Sequence, residues 1–119
     1  MNRPVTTTVT LPSGGTVTPS VELGNGSTAE VGATLVGILI PSALDTPTDL
    51  TIEVSTDNVT FSTSMGDGSN NLAGVFSNAV PGRAIYLPPQ IMRPWRYMRI
   101  RSSLTQTANR VFTLVQSAT

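Results

Sequence analysis

Residues 49–65 read DLTIEVSTDNVTFSTSM, and this stretch decides the fold prediction. Leu50, Ile52 and Val54 alternate with polar residues, which is the pattern of a strand with one buried face. The following residues 56–59, TDNV, favour a turn, because Asp and Asn side chains bond to their own backbone and tolerate left-handed angles. The chain then resumes an alternating pattern, so the whole stretch predicts a β-hairpin.

A second stretch, residues 95–101, reads WRYMRIR and predicts another strand, with Met98 and Ile100 facing the core. Its opposite face carries what we call the aromatic–Arg row: Trp95, Tyr97, Arg99 and Arg101. Aromatic residues and Arg are enriched in protein interfaces, so this row is the predicted protein-binding surface.

Two other interpretations of the row remain open. Arg99 or Arg101 could pair across strands with Glu53 or Asp49 while Trp95 caps one end of the core. The aromatic faces could also stack on sugars.

The remaining sequence predicts short strands separated by turns. Residues 1–30 are dominated by Thr, Ser, Gly and Pro and predict an extended arm with one or two edge strands, ordered against its own sandwich or a neighbouring subunit. Arg3 and Val5 of this arm complete the predicted interface residues. Residues 31–119 predict the β-sandwich domain, in which the apolar run 35–40 is a central strand covered on both faces.

No segment keeps a helical period, and the turn signals divide the chain into about eight strands. We therefore predict an all-β fold: a jelly-roll β-sandwich of about eight antiparallel strands with an extended N-terminal arm.

Composition excludes several classes of function. The chain has no His, Cys or Lys, which removes the usual general bases, nucleophiles and zinc ligands, so we predict no enzyme activity, no metal and no cofactor. Formal net charge is zero, which predicts neither nucleic acid nor membrane as a partner. The loop at 66–71 contains the single carboxylate Asp67 and predicts a plain surface turn rather than a calcium site.

The charges are distributed unevenly along the chain. All seven acidic residues lie between Glu22 and Asp67, and six of the seven Arg residues lie between Arg83 and Arg110. Arg makes planar bidentate contacts, so this segregation favours ion pairs, either within one sandwich or at an interface.

The two strand motifs together resemble the galactose-binding-like (discoidin-type) β-sandwich family. The matching residues are Ile52, Val54, Ser55, Asp57, Phe61, Arg96, Tyr97, Arg99 and Ile100. Asn58 departs from the Gly that the family prefers, and a turn tolerates this difference. Across roughly residues 35–115 the order of motifs also looks like that of small tailed-phage virion proteins on this scaffold. Those motifs are an apolar strand ending in Pro41, the Ser-x-Asp hairpin, the segment at 82–88 and the Tyr-x-Arg-Ile-Arg-Ser strand.

The resemblance implies a capsid decoration (cement) protein, made in the host cytoplasm and located on the exterior of the virion capsid. Its expected partner is the major capsid protein, and bridging a symmetric shell favours a homo-oligomer, a dimer or trimer. The alternatives are a carbohydrate-binding module and a neck or tail accessory protein, because the fold does not decide function.

Overall fold

A computed structural model describes residues 4–23, 33–63, 75–76, 79–87 and 95–118. Within these ranges the chain contains nine strands and no helix. The strands are β1 (Pro4–Leu11), β2 (Val21–Glu22), β3 (Ala33–Leu39), β4 (Leu50–Ser55), β5 (Ser62–Thr63), β6 (Val75–Phe76), β7 (Ala84–Tyr86), β8 (Tyr97–Ser102) and β9 (Arg110–Ala118).

The strands form two antiparallel sheets. Sheet A has the order β1-β9-β3-β7, and sheet B has the order β2-β8-β4-β5, with β6 also pairing with β4. Except for β4, β5 and β6, which all lie in sheet B, successive strands alternate between the sheets. The first and last strands lie side by side, which is the Greek-key arrangement of a jelly roll. The prediction of an all-β jelly-roll sandwich is confirmed, and the two-residue β6 accounts for the ninth strand.

The core lies between the sheets and follows from alternation along each strand. In sheet B, Ile52 of β4 is paired with Ile100 of β8, and both side chains are buried. In sheet A, Val9 of β1 is paired with Phe112 of β9, and these are also buried. Removing such apolar side chains from water contributes roughly 1.5–3 kcal/mol each, so this layer provides most of the driving force for folding.

The first thirty residues contribute both predicted edge strands, β1 to sheet A and β2 to sheet B. Leu11 and Leu23 are fully buried in the core, and Thr18 exchanges hydrogen bonds with the backbone of Ile100. The described part of the predicted arm therefore packs on its own sandwich. Residues 24–32, around the predicted boundary at residue 30, lie outside the described residues.

Residues 35–40 form a central strand, as predicted, but they are not buried on both faces. β3 lies between β9 and β7, as a central strand should, and Leu35 and Ile38 are buried. A register shift between Leu35 and Gly37 turns Leu39 to the outer face, where 44% of its surface is exposed. An extra residue in one strand reverses the alternation, and an apolar run cannot reveal such a bulge.

Candidate interaction surfaces

The outer face of sheet B contains a compact ion cluster built on Glu53. In the register of β4 and β8, Glu53 lies opposite Arg99, and its neighbour Thr51 lies opposite Arg101. The Nε of Arg99 donates to Oε1 of Glu53 at 2.6 Å, and the Nε of Arg101 donates to Oε2 at 2.9 Å. One carboxylate therefore holds two guanidinium groups, with the charge-assisted geometry that Arg favours.

Burial and charge act in opposite directions on Glu53. Burial raises the pKa of this carboxyl, but the hydrogen bonds and positive charges of Arg101 and Arg99 outweigh burial and bring the pKa below its ordinary value. The side chain of Glu53 is 12% exposed, so removing its partners would leave a charge poorly solvated. The cluster is therefore a structural unit of sheet B.

One aromatic residue, Phe61, contacts this cluster. The guanidinium of Arg99 lies 4.1 Å from the ring centroid of Phe61, at the end of the β4–β5 turn. The turn is formed by Asp57, which accepts hydrogen bonds from the backbone N–H groups of Val59 and Thr60. These backbone bonds lower the pKa of Asp57, and Asn58 adopts a φ of 63° as the turn requires. The predicted hairpin thus places Phe61 beside the ion cluster.

The remaining residues of the aromatic–Arg row are partly engaged within the chain. Trp95 is half-buried and packs against the core. Arg96 lies 5.6 Å from the ring centroid of Tyr97 and forms an exposed ion pair with Glu22 at 3.4 Å. The structure thus places Tyr97, Arg99 and Arg101 at alternating positions of β8, while Trp95 packs against the core. It also shows the cross-strand pairing that the sequence left open, with Glu53 as the carboxylate.

The other two predicted interface residues lie in or beside β1. Arg3 is outside the described residues. Val5 is paired through its backbone position with Gln116 of β9, at the edge of sheet A. The interface role of all six residues stays a prediction.

The outer face of sheet A has a different chemistry, which the sequence analysis did not identify. Its outward side chains form three cross-strand rows, and no charged residue occupies a position in them. The first row is Tyr86, Gly37, Val115 and Thr6, the second is Ala84, Leu39, Thr113 and Thr8, and the third is Val111 and Thr10.

Several large apolar side chains of these rows are open to solvent. Tyr86 is 71% exposed and Val111 is 47% exposed, and Leu39 lies between them on β3. We call these three rows the uncharged face. Clustered exposed apolar side chains of this kind mark interaction sites more often than scattered ones do.

One end of the sandwich is closed by a polar cluster that ties three loops together. The buried Gln106 accepts from the backbone N–H of Asp45 at 2.8 Å and from Nε of Arg110 at 3.2 Å. Its backbone carbonyl accepts from the N–H of Gly14 at 2.8 Å. Hydrogen bonds from Thr107, assisted by Arg110, lower the pKa of Asp45 and outweigh the opposing effect of burial. Because Gln106 and Asp45 bond groups that belong to neighbouring loops of the same chain, this cluster stabilises the fold.

The described ranges contain no candidate metal site and no candidate membrane-spanning helix. No group of three or more His, Cys, Asp or Glu there could hold a metal ion. No helix in the same part of the chain is long and apolar enough to cross a membrane. The loop at 66–71 that was predicted to be a surface turn lies outside the described residues.

Comparisons with known proteins return no relatives for this chain. No protein-family model matches it, no curated protein matches it, and no solved structure matches its fold.

Proposed function

We propose that this chain is a structural virion protein of a tailed phage, most specifically a decoration protein that binds the outside of the capsid and stabilises the shell. The support is the order of motifs across roughly residues 35–115, which resembles small virion proteins on this scaffold, together with the all-β sandwich. A protein that binds only the assembled shell opposes its disassembly by mass action.

The observation that carries the proposal is the uncharged face of sheet A. An uncharged surface of Thr, Val, Leu and Tyr can cover another protein without desolvating a charge, and desolvating a charge costs free energy. The exposed side chains of Tyr86, Leu39 and Val111 provide the apolar contacts such docking needs. We place the contact with the major capsid protein on this face.

The aromatic–Arg row is the competing surface. Docking through Arg99 or Arg101 would have to displace Glu53 or bury an ion cluster that carries a net charge of +1, because one carboxylate is shared by two guanidinium groups. Ion pairs that are satisfied within one chain offer a partner little further energy. The row therefore ranks second as the contact surface.

The proposal is tested by counting the chain in purified particles of the phage that encodes it, using quantitative mass spectrometry referenced to the major capsid protein. A shell decoration protein is expected on the order of hundreds of copies, because shell sites repeat by symmetry. About a dozen copies would instead place the chain at the neck or tail, since those assemblies have few-fold symmetry. Absence from particles would overturn the proposal and make binding to a glycan array the next measurement.

The contact surface is tested with matched variants in a particle-binding assay. Leu39→Ser combined with Tyr86→Ser removes apolar side chains from the uncharged face, and we expect particle affinity to fall by about tenfold or more. Val59→Ser is the matched control, because Val59 is exposed at the tip of the β4–β5 turn and lies outside both surfaces. Loss of binding in Tyr97→Ser, with the sheet A variant unaffected, would move the contact to the aromatic–Arg row.

A further inference from the structure

The edge strands of the two sheets differ in length. The edge strands β2, β5, β6 and β7 each contain two or three residues in the described part of the chain. The edge strand β1 has eight residues, Pro4–Leu11, and pairs with β9 along its whole length without a register shift. Sheet A therefore has one long, regular edge.

This edge lacks the devices that usually protect a strand from pairing with another chain. Natural edge strands are kept short, carry Lys or other charges, or contain bulges or internal Pro residues. β1 carries no charged residue, and its one Pro is Pro4, the first residue. Among the described strands β1 pairs only with β9, so its second row of backbone donors and acceptors faces away from the sheet.

We propose that β1 is a self-association site at which a second copy of this chain adds its own β1 antiparallel, joining two sheets A across a two-fold axis. Backbone hydrogen bonds would supply the contact, as in other cases of strand addition. The inference concerns the isolated chain and does not depend on the proposed capsid function.

The residue pattern of β1 suits pairing with itself. Residues that lie directly opposite each other in an antiparallel pair have their side chains on the same face of the sheet. When two copies of β1 pair about a two-fold axis, this condition holds only if one residue lies opposite the same residue of the second copy. A two-fold axis at Thr8 pairs residues 5–11 with their symmetry mates and leaves Pro4, which has no N–H to donate, outside the ladder.

In this register the residues that lie opposite each other are compatible on both faces of the sheet. On the outer face Thr8 lies opposite Thr8 of the second copy, and Thr6 lies opposite Thr10. On the core face the half-buried Thr7 lies opposite Val9. Thr–Thr and Thr–Val cross-strand pairs are favourable, and no charge meets a like charge. The uncharged faces of the two copies would then form one continuous surface.

The test is sedimentation velocity of the full chain over a concentration series up to about 1 mM, a range that detects even weak dimers. We expect the wild-type chain to shift from monomer to dimer. Thr8→Lys places two like charges directly opposite at the two-fold axis and should weaken dimerisation by about tenfold or more. Thr8 is exposed on the outer face, so the variant should keep the wild-type melting temperature.

The matched control is Ala84→Lys on β7. Ala84 is exposed on the same face and lies in the same cross-strand row as Thr8, but at the opposite edge, roughly 14 Å away by strand spacing. We expect its dimerisation to equal that of the wild type. If Ala84→Lys abolishes the dimer and Thr8→Lys does not, the association uses β7 and the inference is wrong.

A second measurement does not depend on any variant. Amide hydrogen exchange of the wild-type chain should slow within residues 5–11 as protein concentration rises, because the N–H groups that face away from β9 become paired in the dimer. A chain that stays monomeric over the whole series would overturn the inference, as would a dimer with unchanged exchange in β1.

Discussion

The two outer faces of this sandwich differ in the charge and the pairing of their side chains. Sheet B presents ionic side chains and satisfies them internally, with Glu53 holding Arg99 and Arg101. Sheet A presents no charge in its three cross-strand rows and leaves Tyr86 and Val111 open to solvent. The charged side chains of the aromatic–Arg row are thus already paired within the chain, whereas the apolar side chains of the uncharged face are exposed to solvent.

The largest expected effect tests whether β1 belongs to the uncharged face or to a detachable arm. Deleting residues 2–28 removes β1 from sheet A, β2 from sheet B and the buried side chains of Val9, Leu11 and Leu23. Each lost large core side chain typically costs about 2–5 kcal/mol, so we expect the shortened chain to lose cooperative folding. The measurement is a thermal melt followed by circular dichroism. A melting temperature equal to that of the full chain would show that these residues are an arm.

The second prediction tests whether sheet B depends on its ion cluster. Glu53→Gln removes the charge that holds two Arg side chains, and we expect the free energy of unfolding at neutral pH to fall by roughly 1–3 kcal/mol. The matched control is Glu22→Gln, which breaks the exposed pair with Arg96 and should cost no more than about 1 kcal/mol. Urea unfolding measures both variants. Equal effects would mean that the cluster is only another surface pair.

The third prediction concerns pH and follows from the same carboxyl. The pKa of Glu53 in the folded chain lies below its ordinary value of 4.5. Its stabilising contribution is therefore complete above that value and is lost as the pH falls through the lower, folded-state pKa. The stability difference between the wild type and Glu53→Gln should shrink as the pH falls below 4.5. Urea unfolding across a pH series measures it, and a difference that grows on acidification would contradict the assignment.

The smallest expected effect lies on the uncharged face. Val111→Thr keeps the β-branched shape of an exposed residue that lies opposite Thr10, so the free energy of unfolding should change by less than about 0.5 kcal/mol. The same urea titration measures it. A larger loss of unfolding free energy would mean that Val111 packs against side chains of its own chain. The uncharged face would then have less apolar surface available to a partner.

Much of sheet B could be predicted from the sequence, because β4 and β8 alternate cleanly and the Ser-x-Asp turn has its own chemistry. Pairing of Arg99 and Arg101 with Glu53 was one of the interpretations that the sequence left open. The structure selects it, because Glu53 lies opposite Arg99 in the register of β4 and β8. Register between strands distant in sequence is set by packing of the whole core, and local pattern does not contain it.

Sheet A was harder to predict for two physical reasons. In β1 the inward position between Val5 and Val9 is Thr7, so the apolar alternation is interrupted and the strand resembles a polar arm. In β3 the register shift after Leu35 reverses which residues face outward. The uncharged face is assembled from four strands that are far apart in the chain, so it becomes visible only once their order is known.

The proposed docking through the uncharged face is tested most directly by hydroxyl-radical footprinting of the chain bound to purified phage particles, compared with the free chain. We expect Tyr86, Leu39 and Val111 to become protected on the particle while Trp95 and Tyr97 keep the reactivity they have in the free chain. Protection of Trp95 and Tyr97, with Tyr86 and Leu39 unchanged, would contradict it and assign docking to sheet B.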